Sequence, residues 1–450
     1  MQARGNGIKV HCVIVPMKST EKEREREPRD PEGLQVFIRI RPPPRGAAAS
    51  TCITSSSTSL TLRSDRHDVS CSYDHVFSEF ATQSDVFRRV QPLLQGVLRG
   101  INGSILAYGQ TSAGKSYTML GPEGGQDLMH QSPANWGILP RAAEFLLGTL
   151  AELAEEGHCT YVVKCSFLQI YNEGLHDLLG SRAPSMAVDN RDEARQREGS
   201  SGAAGHGGGA YASSSSSGSS SLKIRELPVL DTANPHMGFC TGPQEVYVSG
   251  LSEYRVHTGQ DVLQLLRRGT DGRTTAATEF NATSSRSHAV LQMAFEVTLT
   301  GQGAGTSSSG RTTHATHNHK QASPASATAA IAADYSSRGV CTLRSKLSLV
   351  DLAGSEKMTT LTTGLPSTGG VLEQVSLAHV SEARHVRELS AINKSLSALG
   401  NVIAALGATP PRSHVPYRDS KVRHLLLLFT LYLRPVLYRN NPLDKSVPPY

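Results

Sequence analysis

The segment from Ile105 to Met119, ILAYGQTSAGKSYTM, constrains the fold of this chain more than any other stretch. An apolar run leads into Gly109, Gly114, Lys115 and Ser116, which meet the spacing G-x-x-x-x-G-K-[ST]. The glycines let the backbone N–H groups of the loop Gln110, Thr111, Ser112 and Ala113 turn toward phosphate oxygens. Lys115 supplies a point charge, and the Ser116 hydroxyl can ligate Mg²⁺. A strand is expected before the loop, and a helix starting near Lys115 would aim its N-terminal dipole at the anion.

Neighbouring segments extend this pattern. In LQVFIRIRP, Val36, Ile38 and Ile40 alternate with Gln35, Phe37, Arg39 and Arg41, as in a strand. Gly137-Ile-Leu-Pro-Arg141 opens a helical stretch in which Leu147, Leu150 and Leu153 recur at helical spacing, and KCSFLQIY, 164–171, reads as a buried strand. Alternating strands and helices around a phosphate loop predict an α/β fold of the P-loop NTPase kind, with a central sheet flanked by helices and ligands where strands end.

Composition limits the alternatives. The 450 residues carry seven cysteines with no C-x-x-C pair, which suggests neither a disulfide framework nor a zinc site and fits a reducing compartment. The longest apolar run, Leu425 to Phe429, is too short to span a bilayer. A net charge of +6 points weakly to an acidic partner, whereas zinc-finger spacing, a basic helix with heptads and an aromatic RNA-binding signature are all missing. Nucleic acid is therefore not the expected partner.

Residues 1–33 end in a mixed-charge run and read as a disordered arm, with the ordered domain expected over 34–425. Inserts interrupt it near 181–221, rich in Ser, Gly and Ala, and near 301–338, rich in Thr, Ser, Ala and His. Neither is expected to order itself, and a third insert spans about 358–380. His314, His317 and His319 could bind a metal or sit in a solvated loop, and no Cys or carboxylate supports the first reading.

Two further segments bear on what the phosphate is for. NATSSRSH clusters Asn281, Ser284, Ser285 and Ser287 around the fixed cation of Arg286. KLSLVDLAGSE is an apolar strand ending at Asp351, followed by Gly354 and Glu356. Asp351 is placed like the Mg²⁺-side carboxylate of a P-loop NTPase, and Gly354 could offer a backbone N–H to a γ-phosphate. Together the segments look like two switch loops ordered by γ-phosphate and Mg²⁺. Asn393-Lys-Ser-Leu396 lacks the Asp of a guanine reader, so adenine is preferred.

These segments, in this order, resemble the motor domain of the kinesin family over roughly residues 34–425. FIRIRP resembles the family's adenine-side segment, which casts Arg39, Arg41 and Pro42 as base contacts. Tyr117 belongs to the same nucleotide-binding set through the phosphate-loop match. SFLQIYNEGLHDLL, with Tyr171, Asn172, Glu173, Asp177 and Leu178, resembles a further signature. ELSAINKSLSALGNVIAAL and HVPYRDSK resemble the track-facing helix and loop.

The resemblance implies an Mg²⁺-dependent ATPase acting on microtubules in the cytoplasm and cytoskeleton. It implies that Arg286 pairs with Glu356 over the γ-phosphate and positions the attacking water. Ser116 and Ser285 would serve Mg²⁺ directly or through water, and Asp351 through water. Lys394, Arg412, His414, Arg418, Lys421 and Arg423 would face acidic tubulin, with Arg418 and Asp419 free to pair locally instead.

Ala113 and Ser116 are mild departures from the family pattern. The insert after Lys357 lengthens the loop that would couple track to nucleotide. Beyond HVPYRDSKVRHLL the family continues through a strand and a closing helix, whereas residues 426–450 diverge. That divergence raises the expectation of exposed sheet edges and a second reading, a microtubule-binding module with little ATP turnover. No heptads follow, so no oligomer is supported.

Overall fold

The computed structural model describes residues 10–17, 33–43, 52–63, 68–122, 130–180, 222–227, 245–280, 284–301, 324–355, 372–406 and 436–438. The strands are β1 (Val10–Met17), β2 (Gly33–Ile40), β3 (Ile53–Ser55), β4 (Ser59–Leu62), β5 (Val69–Ser72), β6 (His75–Phe77), β7 (Gly103–Gly109), β8 (Cys159–Tyr171), β9 (Gly174–Asp177), β10 (Lys223–Leu227), β11 (Glu245–Ser249), β12 (Tyr254–Val256), β13 (His288–Leu299), β14 (Thr342–Asp351) and β15 (Val436–Tyr438). The helices are α1 (Gln83–Leu98), α2 (Lys115–Met119), α3 (Ile138–Glu155), α4 (Gly259–Phe280), α5 (Pro324–Arg338) and α6 (Leu372–Leu406).

One mixed sheet organises the chain in the order β12-β8-β13-β14-β7-β1-β2-β6, with β9 paired to β8 and β15 to β14. β14 runs parallel to β7, and β2 parallel to β6. β1 is antiparallel to both β2 and β7, and β13 is antiparallel to both β8 and β14. The C-terminal ends of β2, β7, β8 and β14 and the N-terminal end of β13 therefore share one edge of the sheet.

Both faces are covered, which is why the strands read as nearly continuous apolar runs. Alternate residues point opposite ways, so Ile105, Leu291, Leu347 and Phe167 join the core under the helices α1, α3 and α4, together with Leu94, Leu146 and Leu266. Leu106, Val290, Val350 and Leu168 face the other way, onto Ile392, Leu396 and Leu399 of α6. α1 starts at a capping box in which Thr82 and Asp85 satisfy each other's backbone N–H groups, and it buries Val86, Val90, Leu94 and Val97 along one stripe.

The structure corrects the sequence reading in two places. The arm 1–33 contains β1, an interior strand: the charged run masked VHCVIVPM ahead of it, apolar but for His11. The insert 301–338 contains α5, which buries Ala327 and packs Ile331 and Tyr335 into the main core. Its Tyr335 hydroxyl donates to Leu98 O at 2.6 Å and Arg338 donates to Arg99 O at 3.3 Å, satisfying carbonyls at the end of α1. Alanine-rich composition hid a helical register set by two large side chains, Ile331 and Tyr335. The insert near 181–221 and His314, His317 and His319 lie outside the described residues. The insert 358–380 overlaps the first turns of α6.

Candidate nucleotide-binding site

The phosphate loop leaves β7 and enters the single turn α2, as the spacing requires. Gly114 sits at φ +104°, a left-handed conformation that a side chain would strain, and no side chain caps the N–H groups of α2. Lys115 is buried, with Nζ donating to Gly109 O at 2.9 Å and Gln110 O at 3.0 Å. The ammonium is thus held within the loop by two of its carbonyls. Ser112 also takes a positive φ of 61°, turning the loop between Gln110 and Ala113.

Ser116 Oγ donates to Asp351 Oδ2 at 2.6 Å, which joins the phosphate loop to the end of β14. The other oxygen, Oδ1, is buried with no hydrogen-bond partner among the described residues. A buried carboxylate oxygen left open beside a loop hydroxyl is the donor chemistry a hard divalent cation uses, directly or through water. Ser116 and Asp351 therefore fit Mg²⁺.

At the base side, Arg39 is buried. It donates to Gln83 Oε1 at 2.8 Å, Thr118 Oγ1 at 2.9 Å and Ala81 O at 3.0 Å, and it lies under the Tyr117 ring at 5.2 Å. Burial lowers its pKa, opposed by Tyr117 and Asp85. Gln83 also donates to Tyr117 O at 2.7 Å. Arg39 thus anchors Tyr117, which remains 44% exposed. Arg41 donates to Ser112 O, and Arg41 and Pro42 are exposed beside the loop.

The switch-like segments touch each other and the cradle. Gly354 N–H donates to Ser285 O at 2.8 Å, and Ser355 N–H donates to Gly109 O at 3.2 Å. Ser284, Ser285 and Arg286 form a 3₁₀ turn leading into β13. Arg273 of α4 is buried at 3.6 Å from Asp351, and it donates to Ser287 O at 2.9 Å. Burial lowers the Arg273 pKa, with Asp351 opposing.

His288 links this edge to α6. Its Nδ1 accepts from Ala353 N–H at 3.1 Å, so Nε2 carries the proton. Ser395 Oγ lies 3.0 Å from Nε2 and donates its own hydrogen to Ile392 O at 2.7 Å, so the serine accepts from the histidine. Burial, then Arg273 and Lys115, push the His288 pKa down to about 3.

Arg286 donates to Glu388 Oε2 of α6 at 2.8 Å, and the Tyr171 hydroxyl donates to Oε1 at 2.5 Å. Glu356, the partner expected from sequence, lies outside the described residues, as do Asn281, Arg412, His414, Arg418, Lys421 and Arg423. Lys394 is exposed on α6, away from the Ile392, Leu396 and Leu399 stripe. Sequence reasoning missed Gln83, Arg273, His288 and Glu388, since each works through partners far away in sequence. Their polar character inside otherwise apolar-periodic segments is the signal that was available.

A phosphate loop, a carboxylate at the end of the adjacent parallel strand and two mutually bonded loops on one sheet edge define a P-loop NTPase fold. Residues 16–204 and 223–428 match the family described as Kinesin motor domain, and the chain belongs to that family. It is 30% identical to Kinesin-related protein 5 of Dictyostelium discoideum over 397 residues, 87% of this chain and 29% of that one. It is 31% identical to the Kinesin heavy chain of Neurospora crassa over 427 residues, 95% and 31% of the two chains. The chain thus spans under a third of the length of these relatives. A solved structure of a fast kinesin aligns with a TM-score of 0.53 at 28% identity, covering 86% of this chain and 79% of that one. The motor domain of the Kar3-like kinesin from Ashbya gossypii shares the fold, with a TM-score of 0.52 at 22% identity over 87% and 86% of the two chains.

Proposed function

We propose that this chain is a microtubule-dependent motor ATPase, in which Mg²⁺-ATP hydrolysis at the phosphate loop changes the affinity of α6 and the segments around it for the track. The observation that carries the reading is the unbroken set of bonds from phosphate loop to α6. Ser355 meets Gly109, Gly354 meets Ser285, Ala353 meets His288, His288 meets Ser395, and Arg286 meets Glu388. A group arriving at the loop that draws Gly354 or Arg286 toward itself must break contacts that hold α6.

Mg²⁺, when bound by Ser116 and Asp351 with help from Ser285, would neutralise charge developing on the transferred phosphoryl group. Lys115 exchanges its loop carbonyls for phosphate oxygens, and Gly354 exchanges Ser285 O for one. Gln110 to Gly114 supply further N–H groups, and the family resemblance assigns Asn281 and Ser284 to nucleotide binding as well. The base lies against Tyr117, Arg41 and Pro42, with Arg39 holding Tyr117 in place. Arg286 leaves Glu388 for Glu356, and the new pair orders the attacking water and takes up its proton. Little covalent chemistry is asked of the protein, since positioning and charge stabilisation carry most of phosphoryl transfer.

Lys394, with Arg412, His414, Arg418, Lys421 and Arg423, presents positive charge to acidic tubulin, an attraction that salt weakens. This reading places the protein on cytoplasmic microtubules. Among the described residues no helix is long and apolar enough to cross a membrane. The deciding experiment is ATP turnover by the chain with and without microtubules, with Glu356→Ala as control. Microtubule-accelerated turnover lost in the control supports the motor. Microtubule binding with no turnover above the control would leave a binding module.

A further inference from the structure

We propose that residues 10–17 are the positioning strand of the nucleotide site: β1 fills the slot between the base-side strand β2 and the phosphate-side strand β7 and sets their separation. The proposal rests on the reading of this edge as a nucleotide site. The family match begins at residue 16, so most of β1 precedes it. Yet β1 is an interior strand, paired with β2 from Val10↔Ile40 to Met17↔Gly33 and with β7 from His11↔Gly109 to Ile14↔Leu106.

Among the described residues no strand pairing joins β2 or β6 to the rest of the sheet except through β1. It is what separates the ends of β2 and β7 by two strand spacings, roughly 9.5 Å. Three contacts across that gap depend on this width: Arg41 to Ser112 O, Arg39 to Thr118 Oγ1 at 2.9 Å, and Gln83, itself bonded to Arg39, to Tyr117 O at 2.7 Å. The last residue pair of β1 and β7 on the site side is His11↔Gly109, at the first glycine of the phosphate loop. Without β1 the backbone groups of Leu106 to Gly109 lose a paired neighbour just where the loop must be held still.

The sequence suits the slot. VHCVIVPM is apolar apart from His11, and its β-branched Val10, Val13, Ile14 and Val15 favour an extended strand. Pro16, which has no N–H, falls beyond Ile14, where pairing with β7 has ended.

Placement is tested on the full chain by cysteine pairs. Tyr108→Cys stands opposite the native Cys12, and Val13→Cys with Ala107→Cys forms the next pair. Adjacent antiparallel pairs alternate in spacing, so one of the two should suit a disulfide. Mild oxidation should link the N-terminal peptide to the phosphate-loop peptide in at least one variant, read by mass spectrometry. No link in either would overturn the placement.

The positioning role is tested by removing residues 1–18 and titrating a fluorescent ADP analogue. Affinity should fall by about tenfold or more, the scale expected when binding groups shift by an ångström, and a synthetic peptide of residues 8–19 should restore it. Unchanged affinity would overturn the role. The cross-link is read without nucleotide and without the deletion, so it decides placement even if the shortened chain does not fold. A cross-linked full chain that never binds the analogue would instead overturn the nucleotide reading beneath the proposal.

Discussion

Arg286, in the turn before β13, donates to Glu388 of α6 at 2.8 Å, although the two residues lie 102 positions apart. Glu388 is buried and its second oxygen accepts from Tyr171 at 2.5 Å, so each carboxylate oxygen has a partner. Arg286 is therefore committed to the helix. A switch that closes on nucleotide has to break this pair.

Glu388→Gln should lower stability by about 1–3 kcal/mol, less than a fully buried pair because Arg286 is partly exposed. Tyr171→Phe should cost about 1 kcal/mol. Urea unfolding reads both. Arg286→Ala and Glu356→Ala should each lower ATP turnover by about 100-fold or more, whereas Glu388→Gln leaves most of it. Equal losses in all three would place Glu388 in the chemistry and contradict the exchange.

His288 stays neutral in the folded protein, since its pKa is pushed down to about 3 from an ordinary value of 6.5. Between those values the unfolded chain takes up a proton that the native state refuses. Its share of stability is complete above about pH 6.5 and falls by up to about 1.4 kcal/mol per pH unit as the solution is acidified toward 3. Denaturant midpoints for the natural chain and His288→Asn should converge as pH falls through this window. Parallel curves would show that the imidazole does not titrate between the two states.

Lys115→Ala should weaken nucleotide binding by about 100-fold while changing stability by less than about 1 kcal/mol, because the ammonium's partners are loop carbonyls that water can serve. Isothermal titration with ADP, beside a thermal melt, separates the two effects.

Gln83→Leu removes the acceptor for Arg39 and the donor to Tyr117 O, leaving buried polar groups unpaired at a cost of about 2 kcal/mol. It should also loosen Tyr117 and so weaken adenine nucleotides more than inorganic pyrophosphate. A uniform loss for both ligands would mean that Gln83 supports the phosphate loop and not the base side.

Ile331→Ala in α5 should destabilise by about 2–4 kcal/mol, and Tyr335→Phe by about 1 kcal/mol. Values near zero in chemical denaturation would return this helix to the status of a loose insert.

Much of the site was legible because its parts are local. The phosphate loop, Asp351 at a strand end and the Ser284-Ser-Arg286 turn are short runs whose residue types state their chemistry, and they converge on one edge as the α/β pattern requires. Partners were not legible. The resemblance implies Arg39 as a base contact, and its guanidinium bonds Gln83, Thr118 and Ala81, partners that no local pattern announces. α5 was hidden because its apolar contacts are only three positions in an alanine-rich run, sufficient when a preformed surface of α1 and α3 receives them.

The sequence by itself determined the cradle, the strand periodicity and the membership of an α/β nucleotide-binding class, since each depends on neighbours a few residues away. Tertiary structure decided which charges meet and which strand closes the sheet. Arg286 met Glu388, and VHCVIVPM took the slot between β2 and β7, because burying a charge or a strand's backbone is favourable only where a distant segment satisfies it.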